Sequence, residues 1–132
     1  MLNVNWEEIV SEIRKIASKT ESDVVAQMES EGYKYEVYSN SHSHCDYLYD
    51  ICGGAIIKFR NRKNRVYNSY KKYLKEHSDD VPMDSFTSNW FYLAPCTFRQ
   101  ELKVNKAVAS AIVDYLNAKF QTPVFYYTTY VD

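Results

Sequence analysis

Little in this chain breaks a helix or forces a turn: it holds three glycines and three prolines in 132 residues. Linkers and low-complexity tracts concentrate those residues, so neither is expected, and no internal repeat is visible. Cysteine is equally scarce. The odd set of Cys45, Cys52 and Cys96 cannot all pair, and the opening MLNVNWEEIV lacks the pattern of a secretory leader. Free thiols in a reducing compartment follow, with a cytoplasmic location expected. No apolar run approaches the roughly 20 residues that span a bilayer, so no membrane partner is expected. Also missing are G-x-S-x-G, a P-loop, a dinucleotide fingerprint and H-E-x-x-H, which removes the familiar hydrolase, nucleotide and zinc-protease signatures.

What is present describes a folded chain. A hydrophobic share of 45% beside 25% charged residues argues against disorder. A chain of 132 residues can bury one core without staples, so residues 1–132 are read as a single globular domain. Tyrosine is in excess, with thirteen residues. Its ring gives contact area at small entropic cost and its hydroxyl tolerates water, which suits wet interfaces and core margins alike. The net charge of −1 gives no bulk preference for an anionic partner, so any preference has to be local.

Such a local feature exists. The segment Lys58 to Lys75 carries eight of the sixteen basic residues, Lys58, Arg60, Arg62, Lys63, Arg65, Lys71, Lys72 and Lys75, and no acid. The residues before it hold ten acids against four bases, and those after it seven against four. Three tyrosines, Tyr67, Tyr70 and Tyr73, recur in it at helical spacing.

Taken in order, Asn5 and Glu8 form a capping box ahead of an apolar stripe on Trp6, Ile9, Val10, Ile13, Ile16 and Ala17. The stripe weakens over Ser18–Ser22, resumes at Val24, Val25 and Met28, and stops at Gly32. The expectation is one bent helix or a pair with Thr20 capping the second. A DNA-reading pair is disfavoured, because the second half, ESDVVAQMESE, would be repelled by phosphate. Tyr33–Ser39 alternates as a strand. CDYLYDIC-GG-AIIKFRN predicts a hairpin turning on Gly53-Gly54, with Leu48, Asp50, Cys52, Ala55, Ile57 and Phe59 on the core face. Tyr47, Tyr49, Ile51, Ile56, Lys58 and Arg60 then share the outer face. A helix capped by Asn64 buries Val66, Tyr67, Tyr70, Tyr73 and Leu74 and turns Arg65, Lys71, Lys72 and Lys75 to solvent. TSNWFYLAP reads as a strand, Thr97 and Gln100 as a capping box for a helix to about Phe120, and VFYYTTYV as a closing strand. The fold class is α+β: an N-terminal helix or helix pair, an antiparallel three-stranded sheet with a Gly-Gly hairpin, then helix-strand-helix-strand, in the order α(α)βββαβαβ.

The candidate chemistry is thin. His42, His44, Cys45 and Cys52 are metal-ligand types, but structural zinc uses paired short spacings, which HSHC-x6-C does not offer. On one strand Cys45 and Cys52 would stand roughly 23 Å apart, which leaves His42, His44 and Cys45 as a weak set in a solvated loop. No metal or other cofactor is expected. Cys52 beside Gly53-Gly54 is better read as a small buried hydrophobe than as a nucleophile activated by His44. Asp50 on a core face needs a partner, an edge or a role.

The helix–three strands–helix–strand order, with Asp46 or Asp50 ahead of Ile56-Ile57-Lys58, resembles the core of the PD-(D/E)xK nucleases. That resemblance implies an acid on the second strand and an acid-x-lysine on the third, holding a metal. Ile56 stands where the second acid belongs, so such a site would be degenerate. With the basic segment in the place of a second helix, the order is also similar to the α-β-β-β-α of double-stranded RNA binding domains, which implies phosphate contacts from that helix.

With no catalytic constellation, the chain reads as a small non-catalytic binding protein. The expectation is an inhibitor or immunity-type protein, of the kind phages and mobile elements encode, that occludes a partner. Lys58, Arg60, Arg62, Lys63 and Arg65, with Tyr47 and Tyr49, are the partner-facing residues, since Arg and Tyr dominate interface hot spots. The partner would be a protein or ribonucleoprotein, met by a monomer or homodimer. The alternative is direct nucleic-acid binding by the Lys58–Lys75 segment, and an enzyme is not expected.

Overall fold

The computed structural model describes residues 4–32, 35–38, 45–48, 53–61, 65–76, 90–92, 101–121 and 123–131, with the backbone alone for 35–38, 45–48 and 90–92. Helix α1, Trp6–Glu31, is capped as its sequence predicts: Asn5 Oδ1 accepts the Glu8 N–H at 3.2 Å. It ends at Gly32, whose φ of 77° is left-handed and whose N–H reaches the Glu29 carbonyl at 3.2 Å. Between the caps the helix is unbroken, so Thr20 starts no second helix. The weak stretch Ser18–Ser22 holds neither glycine nor proline, and its residues cost only a few tenths of a kcal/mol each, about what tertiary packing offsets. Packing resumes beyond it, with Met28 buried and Val24 and Val25 against the core.

Strands β1, Tyr35–Tyr38, and β2, Cys45–Leu48, follow, then β3, Gly53–Phe59, and helix α2, Arg65–Glu76. The chain continues through β4, Trp90–Tyr92, and helix α3, Leu102–Phe120, to β5, Phe125–Val131. Helix α3 takes Glu101 as N-cap without a side-chain cap bond. The expected Thr97 cap lies outside the described residues, as does Asn64.

The sheet expected from three consecutive strands is not formed. Among the described residues β1 and β2 pair only with each other, Tyr35 opposite Leu48 and Tyr38 opposite Cys45, while β3 is the centre of a separate antiparallel sheet in the order β4-β3-β5. The class remains α+β, but the predicted three-stranded sheet and its Gly-Gly hairpin are both overturned. Gly53 and Gly54 lie inside β3, opposite Val131 and Tyr130, and neither has the positive φ that a primed turn requires. They serve close approach instead. A Cβ on Gly53 would come within 2.5 Å of the Tyr130 carbonyl oxygen and 3.1 Å of the Leu102 side chain. One on Gly54 would collide with the Tyr130 phenol ring. The two family resemblances fall with the expected sheet, since both need β1, β2 and β3 side by side.

One face of the β4-β3-β5 sheet is the core. Ala55, Ile57 and Phe59 alternate inward from β3, and Phe125 joins them from β5. Helix α3 lies against β3 and β5 and also packs on α1, which is why its buried arc is wide, from Val104 and Asn105 to Val113 and Leu116. Helix α2 docks through rings: Phe59 meets Tyr67 edge-on at 5.2 Å, stacks on Tyr70 at 5.4 Å and touches Phe125 at 4.6 Å. Trp6 closes the same cluster from α1, with Tyr70 at 5.3 Å and Phe120 at 5.9 Å, and its Nε1–H donates to Ser69 Oγ at 2.9 Å. Tyr67 and Tyr70 are therefore core residues, with Tyr73 packed at the margin.

Candidate functional site

The other face of this sheet is where the basic segment begins. In an antiparallel ladder directly opposed residues share a face, so the register groups Gly54, Ile56 and Lys58 with Tyr130, Thr128 and Tyr126. Arg60 continues the series just past β3, its N–H donating to the Val124 carbonyl at 2.8 Å. Its guanidinium sits 5.3 Å from the centre of the Tyr126 ring. At an exposed position that contact is worth about 0.5–1 kcal/mol and fixes the cation against the sheet. Across the other edge, β4 sets Trp90 opposite Lys58 and Tyr92 opposite Ile56.

Tyr130 lies across the sheet with its phenol end over Gly54, and stays 39% exposed. A glycine opposite an aromatic residue gives the ring room to lie close over the backbone. The surface thus combines Lys58, Tyr126 and Tyr130 on a pair of hydrogen-bonded strands with Arg60 just past the end of β3.

The sequence prediction for this site is only partly met. Lys58 and Arg60 are together on the outer face, as expected from strand parity. The tyrosines beside them are different ones. Tyr47 belongs to β2, which among the described residues pairs with β1 and not with β3, so the predicted hairpin does not set it opposite β3, and Tyr49 lies outside the described residues. β5 supplies Tyr126 and Tyr130 in their place. The signal for them was the alternation of FYYTTYV, but no local rule in the sequence says which strand lies next to β3. Arg65 is exposed at the start of α2, with Lys71, Lys72 and Lys75 on the solvent side of that helix. Because α2 docks on the Phe59 face, the segment's cations divide between two surfaces of the molecule.

Arg62, Lys63, Tyr49, Asp50, Cys52, His42 and His44 lie outside the described residues, and Cys45 is placed as backbone in β2. Among the described residues no three His, Cys, Asp or Glu side chains converge as metal ligands, and no helix is long and apolar enough to cross a membrane. A shallow open groove runs along the solvent side of α1 past Ser11, Arg14, Ser18 and Ser22. Its lining is a mixture of hydroxyls and both signs of charge on one helix. Comparison with family models, curated proteins and solved structures returns no match for this chain.

Proposed function

We propose that this protein is a small non-catalytic binding protein, of inhibitor or immunity type, that occludes a macromolecular partner with the outer face of its β4-β3-β5 sheet. The observation that carries the reading is the Arg60–Tyr126 contact at 5.3 Å, beside Lys58 and the exposed Tyr130. Arg and Tyr are among the residues that most often dominate binding energy. Lys58, Tyr126 and Tyr130 are held on paired strands, and Arg60, one residue past β3, is tied to the approach to β5 by its hydrogen bond to the Val124 carbonyl. The ordering cost of presenting them is already met in the free protein. An acidic protein or ribonucleoprotein surface is the complementary partner.

A second reading is direct binding of nucleic acid on the same face, favoured by the two cations Lys58 and Arg60 standing beside Tyr126 and the 39% exposed Tyr130. The two differ in their response to salt. Phosphate binding weakens steeply and almost uniformly across sequences as salt rises, whereas a packed Arg–Tyr interface weakens less. Titrating purified protein against single-stranded and double-stranded oligonucleotides at two salt concentrations tests this. Saturable binding that collapses at the higher salt favours the nucleic-acid reading, and no binding at either favours a protein partner.

A further inference from the structure

The outer edge of β5 carries hydrogen-bonding groups whose identity follows from the ladder. Arg60 N–H bonds to the Val124 carbonyl, and that pair continues the β3–β5 register. Alternation then makes Lys58–Tyr126, Ile56–Thr128 and Gly54–Tyr130 the hydrogen-bonded pairs. The N–H and C=O groups of Phe125, Tyr127, Thr129 and Val131 point away from β3. Phe125 confirms the parity, since both of its groups are taken by the Asn117 side chain, at 2.9 and 3.1 Å. Beyond it, among the described residues, no strand pairs with this edge of β5, and Thr128 to Val131 are exposed.

Edge strands are ordinarily blunted by lysine, proline, a bulge or an inward charge. Phe125–Val131, FYYTTYV, has no charged residue and no proline, and it pairs with β3 residue for residue without a bulge. We infer that this edge pairs with the same edge of a second copy of the chain, antiparallel about a two-fold axis at Thr129. The strand is complementary to itself in that register. Thr129 faces Thr129 of the second copy, and Tyr127 faces Val131 in both directions, an aromatic–β-branched pair of the kind that stabilises sheets. All three of the outward-facing residues beyond Phe125 are used, giving about six backbone hydrogen bonds by the antiparallel pattern. No charge is brought opposite a like charge, and the net charge of −1 per chain opposes association only weakly. The overlap stops short of Phe125, so Asn117 is not displaced. The product is one six-stranded sheet with the Lys58, Arg60, Tyr126 and Tyr130 faces of both copies side by side.

The test is light-scattering mass against concentration for the full chain and two variants, with amide exchange read at Tyr127, Thr129 and Val131. Thr129→Pro removes one outward N–H at an edge position that tolerates proline, and Thr129→Lys sets two cations face to face across the axis. The wild type is expected at twice its 15.5 kDa mass, with those three amides protected in proportion to dimer. Both variants are expected at half the wild-type mass with unchanged circular dichroism. If Thr129→Pro fails to fold, Thr129→Lys alone decides. A wild type monomeric at every concentration overturns the inference, as does a dimer that both folded variants retain. Protection of the three amides only on adding a different protein overturns it too, by giving the edge to another occupant. Neither variant alters Lys58, Arg60, Tyr126 or Tyr130, so loss of the dimer and loss of the partner face are read separately.

Discussion

The Asn117 amide closes both backbone groups of Phe125. Its Oδ1 accepts the Phe125 N–H at 2.9 Å and its Nδ2 donates to the Phe125 carbonyl at 3.1 Å. A side chain from α3 therefore stands where the next strand would. Asn105, one of two buried polar or charged side chains among the described residues, does related work at the other end of the helix. Its Nδ2 donates at 2.8 Å to the carbonyl of Gly53, which the ladder with β5 does not use. Two asparagines thus set the helix on the sheet where regular hydrogen bonding leaves off.

Replacing Asn117 by alanine strands a donor and an acceptor at once. Asn117→Ala is expected to lower stability by about 2 kcal/mol, within the usual range for orphaning partly buried polar groups. Asn117→Asp keeps the acceptor but sets a carboxylate against the Phe125 carbonyl, so it should recover little of the loss. Urea unfolding of the three proteins checks this. A change under about 0.5 kcal/mol for alanine, the size of an ordinary surface substitution, would show that water replaces the amide.

The paired glycines are expected to differ. A Cβ on Gly53 meets the Tyr130 carbonyl and Leu102 at the start of α3, neither of which can rotate away, whereas one on Gly54 meets the Tyr130 ring. Gly53→Ala should therefore cost more than Gly54→Ala, by at least about 1 kcal/mol on the usual cost of overpacking. Tyr130→Ala should relieve most of the Gly54→Ala penalty in a double-mutant cycle. Additive costs would mean that the ring does not rest on Gly54.

Trp6 joins α1 to α2 by a hydrogen bond and to Tyr70, Tyr73 and Phe120 by ring contact. Ser69→Ala removes the hydrogen-bond partner and should cost about 1 kcal/mol. Trp6→Ala empties the ring cluster as well and should cost about 3–5 kcal/mol. Thermal unfolding followed by circular dichroism separates the two. Equal effects would place the value of the site in the hydrogen bond rather than in packing.

Tyr115 on α3 gives an alkaline prediction. Burial first, and then the carboxylates of Glu12 and Glu8, raise its phenol above the ordinary value of 10.0. The folded state thus holds this proton more tightly than the unfolded chain does. The associated stability is present below pH 10 and is lost as pH rises from there through the folded value. Tyr115→Phe should flatten that part of the fall in stability. If the wild type and the Tyr115→Phe variant gave parallel curves above pH 10, the assignment would be contradicted.

Much of the helical structure was legible because its signals are local. The Asn5 cap, the Gly32 stop and the Val66–Leu74 stripe each lie within a few turns of what they control, and the structure realises all three. Strand parity on β3 was equally legible, so Ala55, Ile57 and Phe59 were placed in the core correctly. Pairing was not. A Gly-Gly dipeptide between two alternating runs has the appearance of a hairpin, but here its meaning is set by Leu102 and Tyr130, residues far along the chain. The same non-local choice sets Tyr126 and Tyr130 of β5 beside β3 and pairs the strand of Tyr47 with β1. Lys58 and Arg60 remained because their own strand fixes their side.

The central claim is that the outer sheet face, and not the cationic side of α2, meets the partner. Its most direct test is capture from nuclease-treated lysate with stepwise salt elution. The baits are the wild type, a Lys58→Glu/Arg60→Glu variant, and a Lys71→Glu/Lys72→Glu/Lys75→Glu variant, each confirmed folded by circular dichroism. The expected result is one discrete protein retained through moderate salt by the wild type and the helix variant, and lost by the sheet variant. Retention by the sheet variant with loss by the helix variant would contradict the account and move the binding surface to α2.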